Sequence, residues 1–298
     1  MLSIDPKNFP TPQLVAYLQG SVAPRPIAFA STVDEEGNPN LSPFSFFNLF
    51  STNPAILIFS PSRRVRDNTT KHSLQNVLAT KEVVINMVNY DMVQQTSLAS
   101  TEYPLGMSEF TKSGFTPLAS DLVRPFRVKE SPVQFECKVN EVIALGSEGG
   151  AGNLVICEVL RMHVDENILS ADGKSIDQQK IRLVSRLGGN WYSKAFGESL
   201  FEVEKPLTTL GIGVDHIPAD IRNSKVLTGN NLGQLGNVEH LPDETEVNEF
   251  KLTELSEIFL AFQDNAATLE EKLHEKAKEL LDNGRVSEAW KTLLAFNN

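Results

Sequence analysis

The chain has 298 residues, 41% hydrophobic and 22% charged, the make-up of a globular protein with room for one large domain or two smaller ones. Its formal net charge of −11 argues against nucleic acid as a main partner, because phosphate repulsion would have to be overcome locally. No apolar run approaches the ~20 residues of a membrane span, so no membrane contact is expected.

The opening MLSIDPKNFPTPQ lacks a basic region followed by an apolar one, so no signal peptide is read there. Cys137 and Cys157 sit in apolar strand candidates, away from any CxxC or Cys/His spacing, which suits a reducing compartment. The expectation is a soluble cytoplasmic protein.

Residues 1–20 read as a lead-in, with Leu14, Val15, Tyr17 and Leu18 on a short helix. A strand is expected over 27–33, a hairpin turn at 34–38, and an antiparallel return over 40–48. A strand at 55–60 would continue the meander. A helix over 69–80, a strand over 82–88 and a helix capped by Asp91 follow. Residues 101–125 carry Gly106, Gly114 and Pro117 as breakers, and an irregular stretch of that length is commonly functional or a lid. Strict alternation over 132–139 marks a half-buried strand, extended by 142–145 and returned by 154–164. This succession of short antiparallel strands favours a β-barrel over a doubly wound parallel sheet.

From residue 204 the character changes. Stretches 205–218 and 227–241 read as an extended, glycine-rich arm. Leu252, Leu255, Ile258, Phe259 and Phe262 then follow helical spacing. Thr268 with Glu271 makes a capping box for a second helix, Asn283-Gly284 stops it, and a third helix carries Trp290, Leu293 and Leu294. The expected layout is a lead-in over 1–20, a domain over 21–203, and an extended arm with a helical appendage over 204–298.

The stretch 43–77 concentrates the chemistry. It runs from Pro43-Phe44-Ser45-Phe46-Phe47-Asn48 through a strand ending in Ser60-Pro61-Ser62. Arg63, Arg64, Arg66, Thr69, Thr70, Lys71 and Ser73 follow, up to a helix start. Cations, hydroxyls and unsatisfied N–H groups at a helix start are what a phosphate needs. The same residues also fit a basic surface loop ahead of a well-capped helix.

Elsewhere the apparatus of catalysis is missing. The five histidines (His72, His163, His216, His240, His274) show no metal-binding pair, so no metal is expected, and no GxSxG elbow appears. His163, at a strand end, fits either a pocket wall or a half-exposed strand residue, and the second is favoured. The run Gly229-Asn230-Asn231-Leu232-Gly233-Gln234-Leu235-Gly236 lacks a preceding strand and a following helix, so it is not read as a nucleotide loop. A site without protein acid, base or nucleophile commonly takes its chemistry from a cofactor.

Four motifs in order then carry a resemblance. They are Pro24-Arg25-Pro26-Ile27-Ala28 with residues 31–34 and 39–48; Lys71-His72-Ser73-Leu74-Gln75-Asn76-Val77; Ser131-Pro132-Val133-Gln134-Phe135-Glu136-Cys137; and Arg186-Leu187-Gly188-Gly189-Asn190-Trp191-Tyr192. Together they resemble the flavin reductase-like, FMN-binding split-barrel family over residues 21–192. His72 stands where the family has an acidic residue, and Ser73 where it has threonine.

The resemblance implies a mainly β fold, a split β-barrel with helices, that forms a homodimer binding FMN near the dimer interface. It implies that Lys71 and Ser73 take the phosphate, helped by Arg63 or Arg66. Ser45, Phe46 and Asn48 would follow the isoalloxazine or ribityl chain, with Ser60 and Ser62 as further contacts. The activity implied is hydride transfer from NAD(P)H to flavin, an NAD(P)H:FMN oxidoreductase, with an oxygenase or electron-acceptor protein as a possible partner. No single catalytic side chain is indicated. The alternatives are a flavoredoxin-like FMN electron carrier and a non-catalytic FMN-binding or interaction module.

Overall fold

The computed structural model describes residues 1–104, 106–203 and 205–297. It divides into two compact units, Met1–Phe201 and Glu202–Asn298. Glu204, where the sequence changes character, lies outside the described residues.

The first unit opens with helix α1 (Thr11–Ser21) and strands β1 (Ala28–Val33), β2 (Pro39–Phe44), β3 (Phe47–Thr52) and β4 (Ala55–Phe59). Helix α2 (His72–Thr80), β5 (Glu82–Met87), α3 (Val93–Leu98) and α4 (Glu109–Ser113) follow. Next come the two-residue strands β6 (Pro117–Leu118) and β7 (Arg127–Val128), then the long pair β8 (Val133–Ala144) and β9 (Asn153–Val164). Helix α5 (Gln178–Ile181) and the hairpin β10 (Val184–Arg186) and β11 (Tyr192–Lys194) complete the unit.

Seven strands form one antiparallel sheet in the order β2-β1-β5-β8-β9-β4-β3. β2 and β3 are its two edges, yet only Ser45 and Phe46 connect them. Three Cα steps span at most about 11 Å, so the sheet curls until its edges stand side by side. The result is a barrel split between β2 and β3. Two expectations change here: the antiparallel return ends at Phe44 rather than at 48, and β4 leaves the meander to pair with β9 and β3.

Alternation on β1 explains how the barrel packs on both faces. Ala28 and Ala30 point inward to Phe44, Phe59, Val77, Ile85 and Cys157, where small residues suit a crowded interior. Ile27 and Phe29 point outward, under Leu41, Met92, Phe110 and Phe115. Every residue of β1 is therefore buried. Cys137 and Cys157 are free and buried in the interior, where burial pushes both thiols up. β3 is the exception to burial: Leu49 is 55% and Phe50 64% exposed along that edge.

The first and last of the four motifs meet on this unit. Arg25 and Arg186 exchange backbone hydrogen bonds of 3.0 and 2.8 Å, and the Arg25 guanidinium donates to the carbonyls of Val22, Gln19 (2.6 Å) and Leu187 (2.9 Å). Asp91 caps no helix; it lies within a short 3-10 turn (Tyr90–Met92) that precedes α3, and pairs with Arg182 at 2.9 Å.

The second unit is helical: α6 (Ala219–Arg222), α7 (Gly229–Gly236), α8 (Glu244–Glu254), α9 (Ser256–Phe262), α10 (Ala266–Asp282) and α11 (Val286–Leu294). The stretch expected to be extended contains α7, capped by Thr228 and Asn231 in a reciprocal box. The glycine-rich run is thus itself a helix, and among the described residues no strand leads into it. The cap of α10 is Asn265, which accepts from Thr268 N–H, rather than Thr268. Trp290, 1% exposed, packs with Leu235, Leu281 and Leu293 and donates its indole N–H to the Leu235 carbonyl at 3.1 Å. Among the described residues no helix is long and apolar enough to cross a membrane.

Candidate functional site

The split and the start of α2 form one strip. Lys71 stands at the N-cap of α2 in extended conformation, and its side chain makes no capping bond. The first N–H groups of a helix lack intrahelical partners and carry its positive end. The Lys71 ammonium reaches over the Phe44 ring, 5.2 Å from its centre. Phe44 stacks on Phe59 at 5.3 Å, and the Ser60 N–H donates to the Phe46 carbonyl at 2.8 Å. Lys71, Phe46 and Ser60 are thereby linked through Phe44 and Phe59 across the split.

Burial pushes the Lys71 ammonium below its ordinary value; the nearby Arg64 adds to this and Glu102 opposes it. No ion pair within 4 Å reaches Lys71 among the described residues. A half-buried cation held beside a second cation is stabilised by an arriving anion. Lys71 lines a small cleft with Ser73, Arg64, Ser42 and Glu102.

Ser73 is buried, and its hydroxyl accepts from the Asn40 amide at 2.8 Å. Asn40 also reaches Thr32 Oγ1 at 3.3 Å, and Asn76 reaches the same oxygen at 3.0 Å. This network fixes the first turn of α2 to β1 and β2 and leaves the Ser73 proton available to an acceptor in the cleft.

The arginines divide differently from expectation. Arg63 donates to the side chain and carbonyl of Asn68, both at 2.6 Å, and so shapes its own loop. Arg66 is 68% exposed and pairs with Asp67 and Glu102. Arg64 is the one that lines the cleft: its side chain is 18% exposed, donates to Thr69 Oγ1 and the Thr70 carbonyl, and pairs with Glu102 at 2.7 Å. Nothing in the spacing of three arginines distinguishes the one that turns inward.

The remaining candidates, Ser45, Phe46, Asn48, Ser60 and Ser62, do not line that cleft. Ser45 and Ser62 are half-buried and make no side-chain hydrogen bond among the described residues. Phe46 is 43% exposed with Arg25 5.9 Å from its ring centre. Asn48 is exposed and accepts from Leu49 N–H. Ser60 is buried and accepts from Asn153 N–H at 3.1 Å, pinning the start of β9.

Two acids lay outside the sequence-based list. Glu102 comes from the irregular stretch after α3. Glu109, buried on α4, accepts from Leu41 N–H at 3.1 Å, and burial pushes its carboxyl above the ordinary range. Both are contributed by residues 101–125, where only breaker composition gave a signal.

One group of metal-ligand type occurs among the described residues: Asp121, Glu136 and His163, within 4.8 Å of one another. Glu136 is fully buried and accepts from the N–H groups of Asp121 (2.9 Å) and Leu122 (2.6 Å), with His163 Nε2 at 2.7 Å. Arg161 pairs with Asp121 at 2.7 Å, and Arg127 stands 3.9 Å from Glu136. With two guanidiniums already on these carboxylates, the cluster fits an ion-pair lock that holds the 119–127 loop to β8 and β9. His163 is the partner of a buried acid, which alternation on β9 could not reveal.

The model of the flavin reductase like domain matches residues 20–177. An uncharacterized protein of Aquifex aeolicus is 39% identical over 184 residues, 62% of this chain and 91% of its own. Among solved structures, nitrilotriacetate monooxygenase component B from Bacillus cereus is 31% identical, with a TM-score of 0.63 over 68% of this chain and 98% of that one. A Shewanella frigidimarina protein with a split barrel domain is 26% identical, with a TM-score of 0.57 over 69% and 100%. These matches agree with a split barrel in the first unit. The chain belongs to the flavin reductase-like family, and its first unit is that family's split barrel.

Proposed function

We propose that the protein is an NAD(P)H-dependent FMN reductase, working as a homodimer. The observation that carries the reading is the pairing of Lys71 and Arg64 over one cleft at the start of α2, next to the polar edge of a split barrel. Bound FMN would supply the hydride acceptor, taking two electrons and a proton equivalent from the nicotinamide ring. The residues fit that group. Lys71 and Arg64 would bind the phosphate, with the Ser73 hydroxyl and the first N–H groups of α2 as further donors. Ser45, Phe46, Asn48 and Ser62 would orient the ribityl chain and ring along the split. The protein's contribution is position and electrostatics, which accords with the lack of a nucleophile or triad in the sequence.

The exposed edge strand β3 supports the homodimer. Leu49 and Phe50 present apolar surface beside unpaired strand backbone, an arrangement that proteins usually cover. The similarity to a monooxygenase component B supports a role in handing reduced flavin to an oxygenase. Steady-state oxidation of NADH and NADPH with added FMN tests the reading. Turnover with one or both is expected; a flavin-loaded protein that oxidises neither would overturn it.

A further inference from the structure

A second pocket, of about 340 Å³, opens between α3 and the β10–β11 hairpin. It is at the small end of the ~300–1,000 Å³ range of ligand pockets, a size for one nucleotide half. Arg186 and Lys194 line it together with Tyr90, Tyr192, Asn190 and Ser193, and among the described residues no acid does. Arg182, just outside, is matched by Asp91 at 2.9 Å. Arg186 and Lys194 have no acidic partner within 4 Å among the described residues. Each lies over a ring instead: Arg186 is 4.7 Å from the centre of Tyr192 and Lys194 4.8 Å from that of Tyr90. Two unmatched cations on aromatic walls, in a chain of net charge −11, make a site for a planar group that carries phosphate.

The pocket borders the Lys71 cleft. Ser97 lines the first and Ser100 the second, and Ser100 donates to the Ser97 carbonyl from both its N–H (3.1 Å) and its hydroxyl (2.6 Å). A single turn of backbone therefore separates two cationic sites. We infer that the pocket framed by Arg186, Lys194, Tyr90 and Tyr192 takes the phosphate-bearing adenosine half of the nicotinamide nucleotide. This rests on the reductase reading and adds to it the residues that hold the hydride donor.

The test uses the full chain loaded with FMN, comparing wild type, Lys194→Ala and Lys194→Arg. Anaerobic flavin reduction is followed against NADH and NADPH concentration, which separates apparent Kd from limiting rate, and FMN affinity is titrated in parallel. Loss of one charge-assisted contact in Lys194→Ala should weaken the nucleotide about tenfold. Limiting rate and FMN affinity should stay unchanged, and Lys194→Arg should restore nucleotide binding. Unaltered nucleotide affinity in Lys194→Ala overturns the inference while leaving the reductase reading intact. Weakened FMN binding in that variant also overturns it, assigning the pocket to flavin. A wild type reduced by neither nucleotide overturns the reductase reading and this inference with it.

Discussion

Arg64 and Glu102 form a 2.7 Å ion pair across the mouth of the Lys71 cleft, and Glu102 also reaches Arg66. These contacts hold the Glu102 carboxyl below its ordinary range, so it is an anion at neutral pH, beside the cations proposed to take the flavin phosphate. An incoming phosphate must compete with it for Arg64. Glu102→Gln should therefore strengthen FMN binding by up to about fivefold, since a pair as exposed as this one contributes little. Fluorescence titration of FMN at low and moderate salt measures it. Unchanged or weaker binding would show that Glu102 helps to build the cleft rather than contest it.

Glu109 sets a pH dependence of stability. Burial is the main cause of its raised pKa, only partly offset by Leu41 N–H and the neighbouring His72. Its folded-state value exceeds the 4.5 of an unperturbed glutamate, so the native state binds the proton more tightly than the unfolded one. Stability then falls as pH rises from 4.5 through the folded value, and levels off above it. Glu109→Gln, which keeps an acceptor for Leu41, should flatten that decline. Denaturant midpoints measured from pH 4 to 8 check the sign. A wild type that gains stability across that window through this residue would contradict it.

Much of this is legible in the sequence, and the reasons are local. Residues 132–139 alternate in sequence at the start of β8, α2 repeats Leu74, Val77 and Leu78 at helical spacing, and the motif carrying Lys71 and Ser73 stands at a helix start. What escaped was long-range or degenerate. That Phe44 and Phe47 belong to opposite edges of the sheet depends on β9 and β4 pairing about a hundred residues apart, which a two-residue link does not announce. Arg64 turns inward rather than Arg63 or Arg66 because Thr69, Thr70 and Glu102 hold it, and Glu102 lies 38 residues away. The glycine-rich run 229–236 is helical because Thr228 and Asn231 cap it and because Leu235 packs on Trp290; tertiary burial there outweighs glycine's poor propensity.

Leu49 and Phe50 give the homodimer its own test. Leu49→Asp or Phe50→Asp would bury a carboxylate in the proposed interface, at a cost of several kcal/mol if it stays charged. Light scattering should find the wild type dimeric and the variants shifted to monomer. A wild type that is monomeric at micromolar concentration would remove the dimer from the account.

Gly211 tests the packing of the second unit. A Cβ there would stand 2.5 Å from the Gly236 carbonyl oxygen and 2.9 Å from Asn237 Cα, both backbone atoms. Those atoms belong to the crossing fixed by Ile212 N–H to Val238 (2.8 Å) and Gly213 N–H to Gly236 (2.9 Å). Gly211→Ala should destabilise this unit by about 1–3 kcal/mol, the usual cost of overpacking. Urea unfolding followed by Trp290 fluorescence in a Trp191→Phe background reads it, against Gly233→Ala, where a Cβ meets open space.

The central claim is that the cleft of Lys71 and Arg64 holds a flavin phosphate, and comparing FMN with riboflavin, which lacks that phosphate, isolates it. Equilibrium titration of both flavins should find FMN bound at least about tenfold more tightly by the wild type, as one or more charge-assisted hydrogen bonds to phosphate require. Lys71→Ala should erase most of that preference while leaving riboflavin affinity unchanged. Equal affinity for the two flavins in the wild type, or a full preference for FMN retained in Lys71→Ala, would contradict the account.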